Sequence, residues 1–161
     1  AEKAGTSVIL VINKIDALSP PEVEALREDI WRKMGFIRHA PVLEISALQG
    51  KGLQPLTRKV LRVLEDRSQE ISTHALTECV RRENQVHNPK GVKFFYAHQA
   101  ARHPPAFVFY VNDPDKVVET LRRHLVNSIR KKWGFAGTPI RSVFRKTGRQ
   151  LASGLKQNST R

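Results

Sequence analysis

Val8-Ile9-Leu10-Val11-Ile12-Asn13-Lys14-Ile15-Asp16 is the stretch on which the fold of the first half turns. Val8 to Ile12 is an unbroken apolar run rich in β-branched residues, the pattern of a strand buried on both faces within a parallel sheet. Ser19-Pro20-Pro21-Glu22 follows as a helix start, with Ser19 as cap, proline in the first turn and a carboxylate three positions on. Val23, Leu26, Ile30 and Met34 then recur at helical spacing up to a stop at Gly35. Pro41 to Ile45 reads as a second strand that runs into Ser46-Ala47-Leu48 and the loop Gln49-Gly50-Lys51-Gly52. A second helix follows, with Leu53, Leu56, Val60, Leu61 and Leu64 on its apolar face. Strand, helix, strand, helix is α/β architecture with parallel pairing, and both connecting loops leave the carboxyl ends of strands, where open α/β sheets bind ligands.

The polar run Glu65-Asp66-Arg67-Ser68-Gln69-Glu70 ends this helix and marks a domain boundary. Beyond it the pattern predicts a helix over Thr73 to Glu83, a loop at Asn88 to Gly91, and two antiparallel strands. These strands span Val92 to Ala97 and Ala106 to Asn112, about a loop at Arg102-His103-Pro104-Pro105. Asp113-Pro114-Asp115 is expected to start a long helix ended by Gly134, with Val117, Leu121, Leu125, Ile129 and Trp133 on one face. Ile140 to Phe144 supplies a third strand. The expected organisation is therefore an α/β domain over 1–69, an α+β domain of order α-β-β-α-β over 70–145, and a basic, disordered tail over 146–161.

The chain of 161 residues carries 28 Lys+Arg against 15 Asp+Glu, a formal net charge of +13 and a pI near 10.5. Such a balance favours a polyanionic partner through phosphate neutralisation and counterion release, with nucleic acid the first candidate. No apolar run approaches the ~18 residues needed to span a bilayer, so no membrane partner is expected. Cys79 is the single cysteine, which excludes an intramolecular disulfide and a cysteine-rich zinc site and fits a reducing compartment. The chain opens at Ala1 on a polar run, without a leader pattern, as a piece of a longer protein would.

Asn13-Lys14-Ile15-Asp16 fits N-K-x-D, the base-reading motif of regulatory GTPases. A carboxylate held at a strand end can accept two hydrogen bonds, from guanine N1–H and the 2-amino group, a charge-assisted pair that adenine cannot offer. Asp16 takes that role on this reading, Asn13 braces neighbouring loops, and the stem of Lys14 lies along the ring. Ser46-Ala47-Leu48 sits where GTPases place an S-A-x loop, with the Ala47 amide facing guanine O6. Leu48 stands where many of them have lysine. The plainer alternative is a helix-start cluster after a strand. No G-x-x-x-x-G-K-[ST] and no D-x-x-G occurs, so this stretch alone is expected to bind nucleotide weakly, to hydrolyse none, and to hold no catalytic residue or metal ligand.

The second half carries a closer resemblance. Lys93-Phe94-Phe95-Tyr96-Ala97-His98-Gln99, then His103-Pro104-Pro105-Ala106-Phe107-Val108, then Trp133-Gly134-Phe135-Ala136-Gly137-Thr138-Pro139-Ile140-Arg141 resemble successive signatures of the Der (EngA) GTPases. The resemblance implies the end of a second G domain of the P-loop type followed by a KH-like domain. It also implies GTP or GDP and Mg in the parent protein, upstream G domains as partners, and a role in assembling the large ribosomal subunit on its RNA. A cytoplasmic setting follows, or an organelle matrix. Arg122, Arg123, Arg130, Lys131, Lys132, Arg141 and Arg145 are the candidate RNA-contacting cations, with a solvated helix surface as the alternative. The aromatic residues of the strands are read as core rather than as stacking surfaces. A module that binds RNA or protein without enzymatic activity, keeping a G-domain remnant, remains the other functional reading.

Overall fold

Local chemistry starts most of the elements where the sequence signals stand. The computed structural model describes residues 5–86 and 91–147. They form β1 (Leu10–Ile12), α1 (Pro20–Lys33), β2 (Val42–Glu44), α2 (Leu53–Ser68), α3 (Thr73–Val86), β3 (Phe94–Arg102), β4 (Pro105–Val111), α4 (Glu119–Trp133) and β5 (Arg141–Lys146). The chain divides into two compact units, one of residues 1–68 with 135–139 and the other of 69–134 with 140–161.

In the first unit β1 and β2 pair in parallel, Leu10 against Val42 and Ile12 against Glu44. At the start of α1 the Ser19 amide and hydroxyl both donate to a Glu22 carboxylate oxygen at 2.7 Å, and these bonds hold the Glu22 carboxyl below the usual carboxylate range. The expectation that β1 is buried on both faces is not met, since Val11 is 41% exposed. Two strands cannot cover both faces of each other. For the same reason the apolar stripe of α2 stays in solvent: Leu61 is 56% and Leu64 54% exposed, while α2 buries Val63 and Asp66 instead.

A short segment distant in sequence completes this unit. Gly137 donates its amide to the His39 carbonyl at 2.7 Å and accepts the Val8 amide at 2.7 Å, while the Ser7 and Thr138 hydroxyls bond at 2.8 Å. Phe135 and Thr138 are fully buried. Gly137 sits at φ +71°, and a Cβ there would lie 2.3 Å from the Val8 carbonyl oxygen, so only glycine fits.

The second unit has the order α-β-β-α-β and a three-stranded sheet β3-β4-β5, antiparallel between β3 and β4 and parallel between β4 and β5. The parallel pair requires a crossover, which α4 supplies. One sheet face carries Phe94, Phe109 and Phe144, whose rings meet at 4.9–6.3 Å, and α4 buries Leu121, Leu125 and Ile129. α3 joins the same face, with the Thr77 hydroxyl bonding the amide and carbonyl of Ala97. Cys79 lies buried in α3, where desolvation pushes its thiol up, so it packs rather than reacts.

Element ends differ from the sequence reading where tertiary contacts override propensity. Asp113-Pro114-Asp115 opens a 3₁₀ turn, capped by the Asp113 carboxylate, and not α4. Val117 and Val118 stay extended with Val117 buried, which delays the helix to Glu119. β3 continues past Ala97 to Arg102 because β4 offers it ladder partners as far as Pro105. Lys146, expected in the tail, closes β5, and the Thr147 amide reaches the Val111 carbonyl. The expected tail beyond it, and Asn88 to Lys90 of the expected loop, lie outside the described residues.

Gly137→Ala is expected to lower the stability of the first unit by about 2 kcal/mol or more, read as the urea midpoint of that unit's signals. Leu61→Gln should change it by no more than about 0.5 kcal/mol, whereas Val63→Ala should cost about 2 kcal/mol, because only Val63 leaves a cavity.

Candidate functional site

The parallel ladder of the first unit continues past the strands and lays two loops side by side. The Ile45 amide donates to the Ile12 carbonyl at 2.8 Å and the Ile15 amide to the Ile45 carbonyl at 3.2 Å. Lys14 takes a left-handed conformation at φ 64°, after which residues Ile15–Ala17 coil into a 3₁₀ turn closed by the Ala17 amide on the Lys14 carbonyl. Asp16 rides on this turn with its carboxylate exposed. Asn13 joins the loops: its Oδ1 accepts the Lys14 amide at 2.8 Å and the Ala47 amide at 3.1 Å.

The second loop is fixed from inside. Ser46 is fully buried, its hydroxyl accepts the Gln49 amide at 3.1 Å, and its own amide donates to the Lys51 carbonyl at 2.9 Å. Gly52, at φ +81°, passes so close to Glu44 that a Cβ would lie 2.5 Å from its carbonyl oxygen. Glu44 in turn pairs with Arg27 of α1. The anchored loop leaves Ala47 and Leu48 at the surface, Leu48 being 88% exposed.

Of the six candidate base-reading residues, Asn13, Lys14, Asp16, Ala47 and Leu48 therefore gather on exposed loops. The Ser46 side chain is enclosed and shapes the loop. The Ala47 amide is already engaged by Asn13, so a base oxygen placed there would share this donor. Arg27 and Glu44 support the loops, and no local sequence signal points to them, since they pair across 17 residues.

The candidate cations of the second unit do not form one face. Arg122 is the clearest correction: its guanidinium donates to the Ser142 carbonyl at 3.1 Å and lies over the Phe144 ring at 4.7 Å, fastening α4 to β5. Arg123 is exposed and pairs with Glu119, Lys131 is exposed, and Lys132 lies over the Trp133 ring at 4.6 Å. Arg130 is part-buried on the same helix. Arg141 and Arg145 are exposed on β5 and alternate with Ser142 and Phe144, so they stand on the sheet face opposite α4. His124 bonds Glu83 at 2.7 Å, and no group of His, Cys, Asp and Glu suited to a metal occurs among the described residues. No helix among them is long and apolar enough to cross a membrane.

Comparison with known proteins bears on both units. Residues 70–145 match the family described as KH-domain-like of EngA bacterial GTPase enzymes, C-terminal. A GTPase Der of Halothermothrix orenii is 37% identical over 152 residues, 90% of this chain and 35% of its own length. Nearly the whole chain is thus similar to Der (EngA) GTPases. A GTPase Der of Desulforudis audaxviator is likewise 37% identical, over 91% of this chain, and the chain spans about a third of the length of these relatives. Among solved structures, a GDP-bound variant of Aquifex aeolicus Era aligns with 89% of this chain and 57% of its own at 17% identity, with a TM-score of 0.29. At nine-tenths of this chain, the similarity extends over both units.

Removing the joint between the loops should free both. Asn13→Ala is expected to raise hydrogen exchange of the Ala47 amide roughly fivefold, equivalent to ~1 kcal/mol, while amides of β3 and β4 keep their protection.

Proposed function

We propose that the first unit is the carboxyl-terminal half of a P-loop G domain that reads guanine, and that the second is a KH-like domain contacting ribosomal RNA. Together they would act in a GTP-controlled factor of large-subunit assembly. The observation that carries the reading is the bond from the Ala47 amide to Asn13 Oδ1 at 3.1 Å, which sets the N-K-x-D turn beside the S-A-x loop. A base entering there meets the Asp16 carboxylate at N1–H and the 2-amino group, the Ala47 amide near O6, and the Lys14 stem along the ring. Selectivity follows from pairing: adenine would leave the carboxylate facing an acceptor.

Phosphates, Mg and the hydrolytic step belong to the parent protein, through upstream segments that carry a phosphate loop. This chain supplies the base-reading end, and alone it binds GTP or GDP weakly and hydrolyses neither. The net charge of +13 supports RNA as the partner of the second unit, alongside the upstream G domains of the parent, in a cytoplasmic setting. The candidate cations for phosphates are Arg123, Arg130, Lys131, Lys132, Arg141 and Arg145, with Arg122 also fastening α4 to β5.

Asp16→Asn tests the base-reading assignment. An amide at this position matches the 2-oxo group of xanthine and mismatches guanine. In an NMR titration to about 10 mM nucleotide, where affinities near the millimolar range are measurable, GMP should shift the amides of residues 13–17 and 46–48. The variant should respond to XMP in place of GMP. Equal responses of the unaltered chain to GMP and AMP would overturn guanine reading.

A further inference from the structure

The three-stranded sheet has two faces of different chemistry. One is the aromatic core under α3 and α4. The other begins on β3 with Tyr96 and His98, continues on β4 with Val108 and Tyr110, and ends on β5 with Arg141, Val143 and Arg145. Register sets Tyr96 beside Tyr110 and Tyr110 beside Arg145. In the next row His98, Val108 and Val143 follow, and then Ala106 stands beside Arg141. Neither helix of the unit lies on this side, since Arg122 of α4 holds the Phe144 side and Thr77 of α3 holds Ala97 of the core face.

This face is aromatic, basic and without a carboxylate at any of these positions. The Tyr96 and Tyr110 rings stack at 4.3 Å and 10°, and the His98 ring lies 5.9 Å from Tyr110 and 6.1 Å from Tyr96. Val143, a large apolar residue, is left 43% exposed beside them, and Arg141 and Arg145 are exposed at the two ends of its strand. Burial and the hydrogen bond with Tyr110 push the Tyr96 phenol up.

We propose that this sheet face binds unpaired RNA nucleotides, whose bases extend the Tyr96, Tyr110 and His98 stack beside the exposed Val143, above the buried Val108, while Arg141 and Arg145 take the phosphates. The proposal rests on the RNA reading of the KH-like unit and specifies its surface. A base offers a π-face to a stack that is already assembled, so little side-chain freedom is lost on binding. Exposed arginines beside the rings supply the complementary charge for a backbone that runs along β5. A duplex, with its bases already stacked and paired, has nothing to add to the ring ladder, so the surface selects single strands.

The test uses the whole chain and a fluorescein-labelled single-stranded 12-mer oligoribonucleotide, read by anisotropy across a salt series beside the same sequence as a duplex. Tyr96→Leu with Tyr110→Leu is expected to weaken single-strand binding at least about tenfold, with the duplex little changed. Tyr96→Phe with Tyr110→Phe keeps the rings and should retain binding, which separates stacking from any loss of fold. Arg141→Gln with Arg145→Gln should weaken binding and lower the slope of log affinity against log salt by about 1.4, two phosphates at ~0.7 each. Binding that is untouched by the phenylalanine, leucine and glutamine changes here, yet falls with Arg123→Gln and Lys131→Gln, would overturn the sheet face and leave RNA contact through α4. No binding of either RNA by the folded chain would remove the RNA reading itself, and would give this face to a protein.

Discussion

The first unit depends on Gly137. Its amide and carbonyl bridge His39 and Val8, and its missing Cβ is what allows the Val8 carbonyl to approach. Without that clamp β1 would be held by a single short neighbour, since β2 is its one partner among the described residues. The clamp comes from the segment that follows α4, so two stretches far apart in sequence share one core, with Phe135 and Thr138 enclosed beside Ser7. Because the Asn13 turn continues directly from β1, the position of the Asn13 and Ala47 loops is set by a residue outside the loops. A sheet of two strands would otherwise be marginal, as small cores are.

The Asn13 turn and its neighbouring loop are held by groups of the loops themselves. Ser46 turns inward and satisfies backbone donors of its own loop, Gly52 makes room for the Glu44 carbonyl, and Asn13 ties loop to loop. The exposed groups, the Asp16 carboxylate and the Ala47 amide, are thereby oriented at little entropic cost to a ligand.

In the second unit, positive charge divides by what each guanidinium can reach. Arg122 meets a carbonyl and an aromatic ring and becomes part of the packing, as a planar cation with several donors does readily. Arg141 and Arg145, the first and fifth residues of a strand that alternates sides, are carried to the opposite face, next to tyrosines that the core does not use. The aromatic residues divide the same way. Phe94, Phe107 and Phe109 are core, as read from the strand pattern, while Tyr96 and Tyr110 are not enclosed with them.

Much of this was legible in the sequence. The apolar run of Val8 to Ile12, the Ser19 cap with Glu22, and the helical spacing of Leu121, Leu125 and Ile129 determine local structure because hydrogen bonding and periodicity act within a few residues. The N-K-x-D and S-A-x signals stand at strand ends for the same reason. What only the tertiary structure decided involves partners remote in sequence. Val117 and Val118 stay extended because Val117 is buried, the stripe of Leu61 and Leu64 stays in solvent because a two-stranded sheet cannot cover it, and Arg122 is engaged by neighbours that no local pattern reveals. Gly137 reads in the sequence as a turn residue. That it also clamps β1 follows from a carbonyl whose approach is a property of the folded chain alone.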